Sequence, residues 1–303
     1  MQIGFGVPVS GAWATPAVAA ELSTKAERLG YSSLWTFQRL ISPVDEAGEP
    51  LLAPQYRQVQ DPLVLLAYIA ALTTRARLGV AVVNAPYYSP ALLAKMATTL
   101  DQVSSGRLDL GIGLGWMPEE FEAAGADMEG RGRRTEDFLR CLYEIWAPGT
   151  VSYEGEFYRV PRSLVEPKPV QRPRPPVLLG GTADVALRRA GQLADRWVSG
   201  SQARLDDLAR SIDVVKQAAA GAGRDPDSLR FVCRGAVKIR GSERGQLMGQ
   251  VDDIRADIEK IAATGMDELF VDLNFDPEIA SPDADVPASV DKAHFALEAL
   301  APR

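Results

Sequence analysis

Two periods alternate along the chain. Stretches that are apolar at nearly every position, or rich in β-branched residues, recur at 3–9, 33–37, 78–83 and 107–112, and again at 176–179, 196–199, 231–239 and 268–273. Short apolar runs suit strands covered on both faces, the condition of a parallel sheet. Between them lie longer stretches of helical period. Thr15-Pro16 and Asp61-Pro62 open the first two helices with a capping side chain and then proline, and Gly30 ends the first. Further helices are expected at 90–103, at 119–146 with a break over 125–132, and at 183–193, 205–220, 243–263 and 287–300. Eight strand–helix cycles predict one α/β domain over 1–303, a closed (β/α)8 TIM barrel with insertions, in preference to an open doubly wound sheet. The long segments 40–60 and 148–175 interrupt that rhythm.

Composition narrows the chemistry. Apolar residues make up 46% of the chain, enough for a large core, and the net charge of −7 is scattered without a basic stripe. Nucleic acid is therefore not an expected partner, nor is a membrane surface reached through polybasic contacts. No long apolar span or leader pattern is visible, so the chain reads as soluble and cytoplasmic. Two cysteines, Cys141 and Cys233, and one histidine, His294, leave no material for a zinc site, a disulfide framework or a Ser-His-Asp triad.

A barrel of this kind works at the C-terminal ends of its strands. That rule brings Phe37-Gln38-Arg39, Asn84 to Tyr88, Gly113 to Trp116, Gly180-Gly181-Thr182, Asn274 and Asp276 to one face. Gly180-Gly181-Thr182 runs straight into a helix, where free amides favour an anion such as phosphate, and the hydroxyl of Thr182 adds a donor; the plainer alternative is a tight turn with Thr182 as N-cap. Gly111-Ile-Gly-Leu-Gly115 lacks the spacing and crossover of a dinucleotide fingerprint. It fits either a strand end kept bare for a flat ring or a bend in a crowded barrel. Arg131, Arg133, Arg134 and Glu136 resemble an anion clamp, although solvated ion pairs are the commoner outcome. Trp13 and Trp116 fall on loops of the active face, whereas Trp35, Trp146 and Trp197 belong to the core.

These blocks, in this order, resemble the bacterial luciferase-like monooxygenase superfamily, and its deazaflavin-dependent branch in particular. The likeness rests on Gly30-Tyr-Ser-Ser-Leu-Trp35, Thr73-Thr-Arg-Ala-Arg-Leu-Gly79, the run from Leu100-Asp-Gln-Val to Gly115-Trp116, Glu120-Phe121, and Pro167-Lys-Pro-Val-Gln through Gly180-Gly181 to Asp195-Arg-Trp197. It implies a small-molecule oxidoreductase that uses coenzyme F420, or FMN as the alternative, with the ring over a bulge in the third strand. A non-proline cis peptide is expected near Ala81 and Val82, with Val83 and Asn84 beside it, Gly113 and Gly115 along the ring, and Gly180, Gly181 and Thr182 at the phosphate. Relatives suggest a homodimer. One departure stands out: where alcohol-oxidising members carry Asp-His, this chain has Gln38-Arg39, and neither is a base near neutral pH. Arg39, with Gln38, is then the catalytic candidate, stabilising developing negative charge or binding an anionic group. Three functions stay open: hydride transfer with F420, an FMN monooxygenase served by a partner reductase, and a barrel that binds a ligand or partner without catalysis. The segments 40–60 and 148–166 are expected to cover the substrate.

Overall fold

The computed structural model describes residues 1–302. Along the chain the elements are β1 (Gln2–Gly6), α1 (Pro16–Arg28), β2 (Ser33–Thr36), α2 (Pro62–Leu72), β3 (Arg77–Asn84), α3 (Pro90–Val103), β4 (Leu108–Gly113), α4 (Pro118–Ala123) and α5 (Arg131–Trp146). After these come β5 (Thr150–Glu154), β6 (Arg159–Leu164), β7 (Val177–Gly180), α6 (Asp184–Leu193), β8 (Arg196–Val198), α7 (Leu208–Gly221) and β9 (Arg230–Ala236). The last are β10 (Lys238–Ile239), β11 (Met248–Gly249), α8 (Val251–Ala263), β12 (Glu268–Asp272), α9 (Pro277–Ala280) and α10 (Val286–Ala299). The strands β1, β2, β3, β4, β7, β8, β9 and β12 close into a barrel in chain order, each paired in parallel with its neighbours. No helix among the described residues is long and apolar enough to cross a membrane.

Helix starts follow the capping chemistry of the sequence. Thr15 accepts from the Val18 amide, Asp61 from those of Leu63 and Val64, and Ser89 from that of Leu92, each one residue before a proline. Three expected boundaries move. The first strand stops at Gly6 because Pro8 cannot donate to a ladder, although Val7 and Val9 stay fully buried. The run 231–239 divides into β9 and β10, because Lys238 and Ile239 leave the barrel to pair with Met248 and Gly249. The helix expected from 243 starts at Val251 instead. Gly249 holds a left-handed φ of +145°, and the reciprocal Gln250–Asp253 capping box sets the new start. The insertion at 148–175 contains an antiparallel hairpin, β5–β6, tied to α5 through Asp137, which accepts from the Phe157 and Tyr158 amides.

Inside the barrel, Trp35 stacks on Phe270 with ring centroids 5.0 Å apart and planes 15° off parallel. The opposite end from the strand C-termini is closed by buried polar pairs. Arg77 and Arg196 both hold Asp109, at 2.6 and 3.1 Å, and Glu268 accepts from Ser33 and from the Trp35 indole. Burial pushes the Glu268 carboxyl above its ordinary range. This end is a stability element, and it leaves the other mouth free for chemistry.

Candidate active site

The strand C-termini surround an open cavity of about 450 Å³. Its floor is made by β3. Pairing of β3 with β4 runs to Val80 opposite Leu110 and resumes at Val83 opposite Ile112, so β3 carries one extra residue there. Within that bulge a cis peptide joins Ala81 to Val82, at the bond where the sequence placed it. Val82 and Ala81 line the cavity, and Asn84 follows them. The Asn84 amide donates to Gln38 Oε1 at 2.9 Å, while the Asn84 Oδ1 accepts from the Gly115 amide at 3.0 Å. Gln38 in turn donates through Nε2 to the Tyr88 hydroxyl at 2.6 Å. Both ends of its amide are thus occupied, which makes Gln38 a positioning residue for the end of β3.

Beside the bulge, Gly113 is bare by necessity: a Cβ there would lie 2.7 Å from Asn84 Oδ1. Across the cavity, Gly180 and Gly181 bring backbone to the surface, and Gly181 adopts a φ of +125° open to glycine. The helix α6 begins directly afterwards, but Ala183 is its N-cap and no side chain caps it. Thr182 is exposed and outside the cavity lining, and it does not cap α6, so the N-cap alternative for its hydroxyl is not met. The amides form the anion-ready element here.

Charge in this cavity has one sign. Its lining contains no aspartate, glutamate or histidine, and its ionic side chains are Arg39, Arg131, Arg189 and Arg234. Three of these are compensated from behind: Arg39 by Glu120 at 3.1 Å, Arg189 by Glu136 at 2.9 Å and Arg234 by Asp272 at 2.7 Å. Arg131, at the first turn of α5, has no acidic partner within 4.0 Å among the described residues. Of the arginine cluster seen in the sequence, only Arg131 reaches the cavity. Arg133 pairs with Glu156 on the surface, and Arg134 lies over the Phe157 ring. Tyr88 is no base either, since burial pushes its hydroxyl up to about 12.

Arg39 is the most constrained of the four. Its guanidinium sits 5.0 Å from the Tyr56 ring centroid and 4.8 Å from that of Trp116, with only 6% of the side chain exposed. Glu120, 1% exposed, also accepts from the Leu40 amide at 2.7 Å and from the Tyr87 hydroxyl at 3.2 Å. The Arg39 Nε is buried without a hydrogen-bond partner. Tyr56 brings the 40–60 segment to the cavity as expected, whereas no residue of 148–166 lines it. Trp116 is 55% exposed at the rim, but Trp13 is fully buried with its indole bonded to the Ser10 carbonyl, so it belongs to the core. His294 lies on α10 between Lys25 and Glu21, far from this mouth. Asn274 ties the end of β12 to Val7 and Val9, and Asp276 binds Arg240, so both are structural.

Sequence reasoning missed Arg234 and Arg189. Arg234 lies mid-strand in β9, clamped between the Phe37 and Phe275 rings, at 4.6 and 4.3 Å, and donates to the Ala81 carbonyl at 3.1 Å. The available signal was a charge directly after a buried apolar run, Arg234 after residues 231–233 in β9 and Asp272 after residues 269–271 in β12, since buried charges demand a partner.

The comparisons agree with this geometry. The family model described as luciferase-like monooxygenase matches residues 3–264. An uncharacterized protein of Mycobacterium tuberculosis is 32% identical over 241 residues, covering 77% of this chain and 82% of that one. An FMNH2-dependent dimethylsulfone monooxygenase of Pseudomonas putida is 35% identical over 149 residues, covering 46% of this chain and 41% of its own. Among solved structures, an F420-dependent secondary alcohol dehydrogenase in complex with an F420–acetone adduct superposes with a TM-score of 0.78. It does so at 16% identity, covering 99% of this chain and 98% of that one, and so speaks to the fold. A closed parallel barrel with a bulged third strand, matched by the family model over most of its length, makes this chain a member of the luciferase-like monooxygenase family of oxidoreductases.

Proposed function

We propose that the cavity binds coenzyme F420 and that the protein passes a hydride between this deazaflavin and a small organic substrate. The observation that carries the reading is the lining itself: a bare, apolar, bulged floor under a rim whose only ionic groups are arginines. A flat, anionic cofactor fits that combination. Ala81, Val82 and Gly113 would lie against the ring, with Asn84 holding the Gly115 turn. The Gly180 and Gly181 amides, with Arg131 and Arg189, would receive the phosphate. When bound, the deazaflavin supplies a hydride donor or acceptor; the protein contributes orientation, exclusion of water and electrostatics.

The lining holds no acid or imidazole to exchange a proton with an alcohol, which favours an acceptor whose anion, after taking the hydride, is protonated by solvent water. Arg39 is then suited to hold negative charge developing on the acceptor. The second reading, an FMN monooxygenase with a partner reductase, is supported by the FMNH2-dependent relative. Oxygen separates the two. Mixed anaerobically with reduced F420 and a panel of activated alkenes, imines and ketones, the enzyme is expected to oxidise the cofactor. Turnover that requires both oxygen and reduced FMN would replace the first reading with the second.

A homodimer is part of this proposal. Val64, Tyr68 and Leu72 form an exposed stripe on α2, next to Leu92 and Val103 on α3. A two-fold axis through that face would cover both copies of the stripe at once. Sedimentation velocity should show a dimer that Tyr68→Glu converts to monomer; an unchanged species would reject this interface.

A further inference from the structure

A second, more enclosed cavity of about 190 Å³ lies at the end of β9 and shares Ser201 and Arg234 with the first, so the two adjoin. No carboxylate lines it. Gln246 closes one side with its amide spent, accepting from the Leu205 amide at 2.9 Å and donating to the Ala203 carbonyl at 2.6 Å. The ionic side chains in the lining are Arg234, already compensated by Asp272, and Lys238. Lys238 is half-buried, and its ammonium has no hydrogen bond and no acid within 4.0 Å among the described residues. Its backbone is fixed by the β10–β11 pairing, with its amide bonded to the Leu247 carbonyl at 3.0 Å.

Three of the four arginines of the main cavity are matched with a carboxylate, and Lys238 is not. The Lys238 ammonium is reached by solvent and paired with no carboxylate, so an oxyanion entering the cavity would gain a charge-assisted contact without displacing a protein partner. The space accommodates a carboxylate, sulfonate or phosphate group together with part of the small organic skeleton that bears it. We infer that this cavity is the subsite for an oxyanion carried by the substrate, with Lys238 as its ion-pair partner and Ser201 as a hydroxyl donor. The inference rests on the main cavity being the cofactor site, and it assigns the substrate to small organic anions whose reactive end projects past Arg234 towards Gly113.

Inorganic phosphate is the probe. Calorimetric titration at low ionic strength is expected to find a saturable site that Lys238→Met weakens by about tenfold or more, the worth of a charge-assisted contact. Lys238→Arg and Arg131→Ala should retain that site, the latter because it alters only the rim proposed for the cofactor. F420 affinity, followed by fluorescence quenching, should be the same in Lys238→Met as in the parent. Failure of the parent to bind phosphate, or binding indifferent to Lys238→Met, would overturn the subsite and leave the cofactor reading intact. Joint loss of phosphate and F420 binding in a folded Lys238→Met protein would instead make Lys238 part of the cofactor cradle, which also overturns it. If the parent binds phosphate through Lys238 but no cofactor, the subsite stands and the proposed function falls.

Discussion

Arg39→Ala is expected to lower turnover by about 10²–10³-fold, the loss typical of removing a donor aimed at developing negative charge. The guanidinium is held over the cavity by the Tyr56 and Trp116 rings, and its Nε is buried with no partner in the protein. An unmade donor of this kind costs about 1–3 kcal/mol. Lysine is a poor replacement, because it cannot stack as a plane or present a fork to Glu120 and the substrate together. The variant also strands a carboxylate: Glu120, 1% exposed, loses its ion pair, which costs about 3–5 kcal/mol in a buried setting. Two effects are therefore mixed, and a second variant separates them. Arg39→Met combined with Glu120→Gln removes both charges, so its Tm should recover towards that of the parent while turnover stays low. If turnover survives in either variant, Arg39 has no part in the reaction.

The second large effect is on stability. Arg234→Met should destabilise the fold by about 3–5 kcal/mol, because Asp272 would be left charged and unpaired inside the barrel. For a chain of this size that corresponds to a fall in Tm of roughly 5–8 °C. The pair is close, 2.7 Å, with 10% and 1% of the two side chains exposed, and the guanidinium is wedged between Phe37 and Phe275. Adding Asp272→Asn to Arg234→Met should restore part of the loss, since the asparagine oxygen still accepts from the Asn274 amide that Asp272 now serves at 3.0 Å. Thermal unfolding of the single and double variants gives the coupling energy directly. Additive losses would mean that the ion pair contributes little.

How much of this was legible depends on how local each cause is. Barrel strands could be read because burial on both faces removes polar residues from the run, as in residues 78–83 of β3 and in β7. Helix starts could be read because Thr15, Asp61 and the prolines after them act within one turn. The positions of the cis peptide and of Gly113 came through the ordered family motifs, not through propensity. What stayed hidden depended on partners distant in sequence. Arg234 meets Asp272 across 38 positions and the Ala81 carbonyl across 153, which no local period encodes. Thr182 looked like a cap because hydroxyls usually are, but the helix begins one residue later. The segment before α8 was read as helix on apolar spacing alone, although Gly245 and Gly249 lie in it and the backbone turns there to form β11.

The central claim is that the bulged, glycine-bare mouth of this barrel holds a deazaflavin. Titration of the purified protein with F420 and, separately, with FMN, followed by fluorescence quenching, tests it most directly. Micromolar or tighter binding of F420 (a free energy of about −8 kcal/mol), weakened by Gly113→Ala and much weaker for FMN, is the predicted result. Binding of neither cofactor by the folded protein would contradict the account and leave a luciferase-like barrel that binds a ligand or partner without redox catalysis.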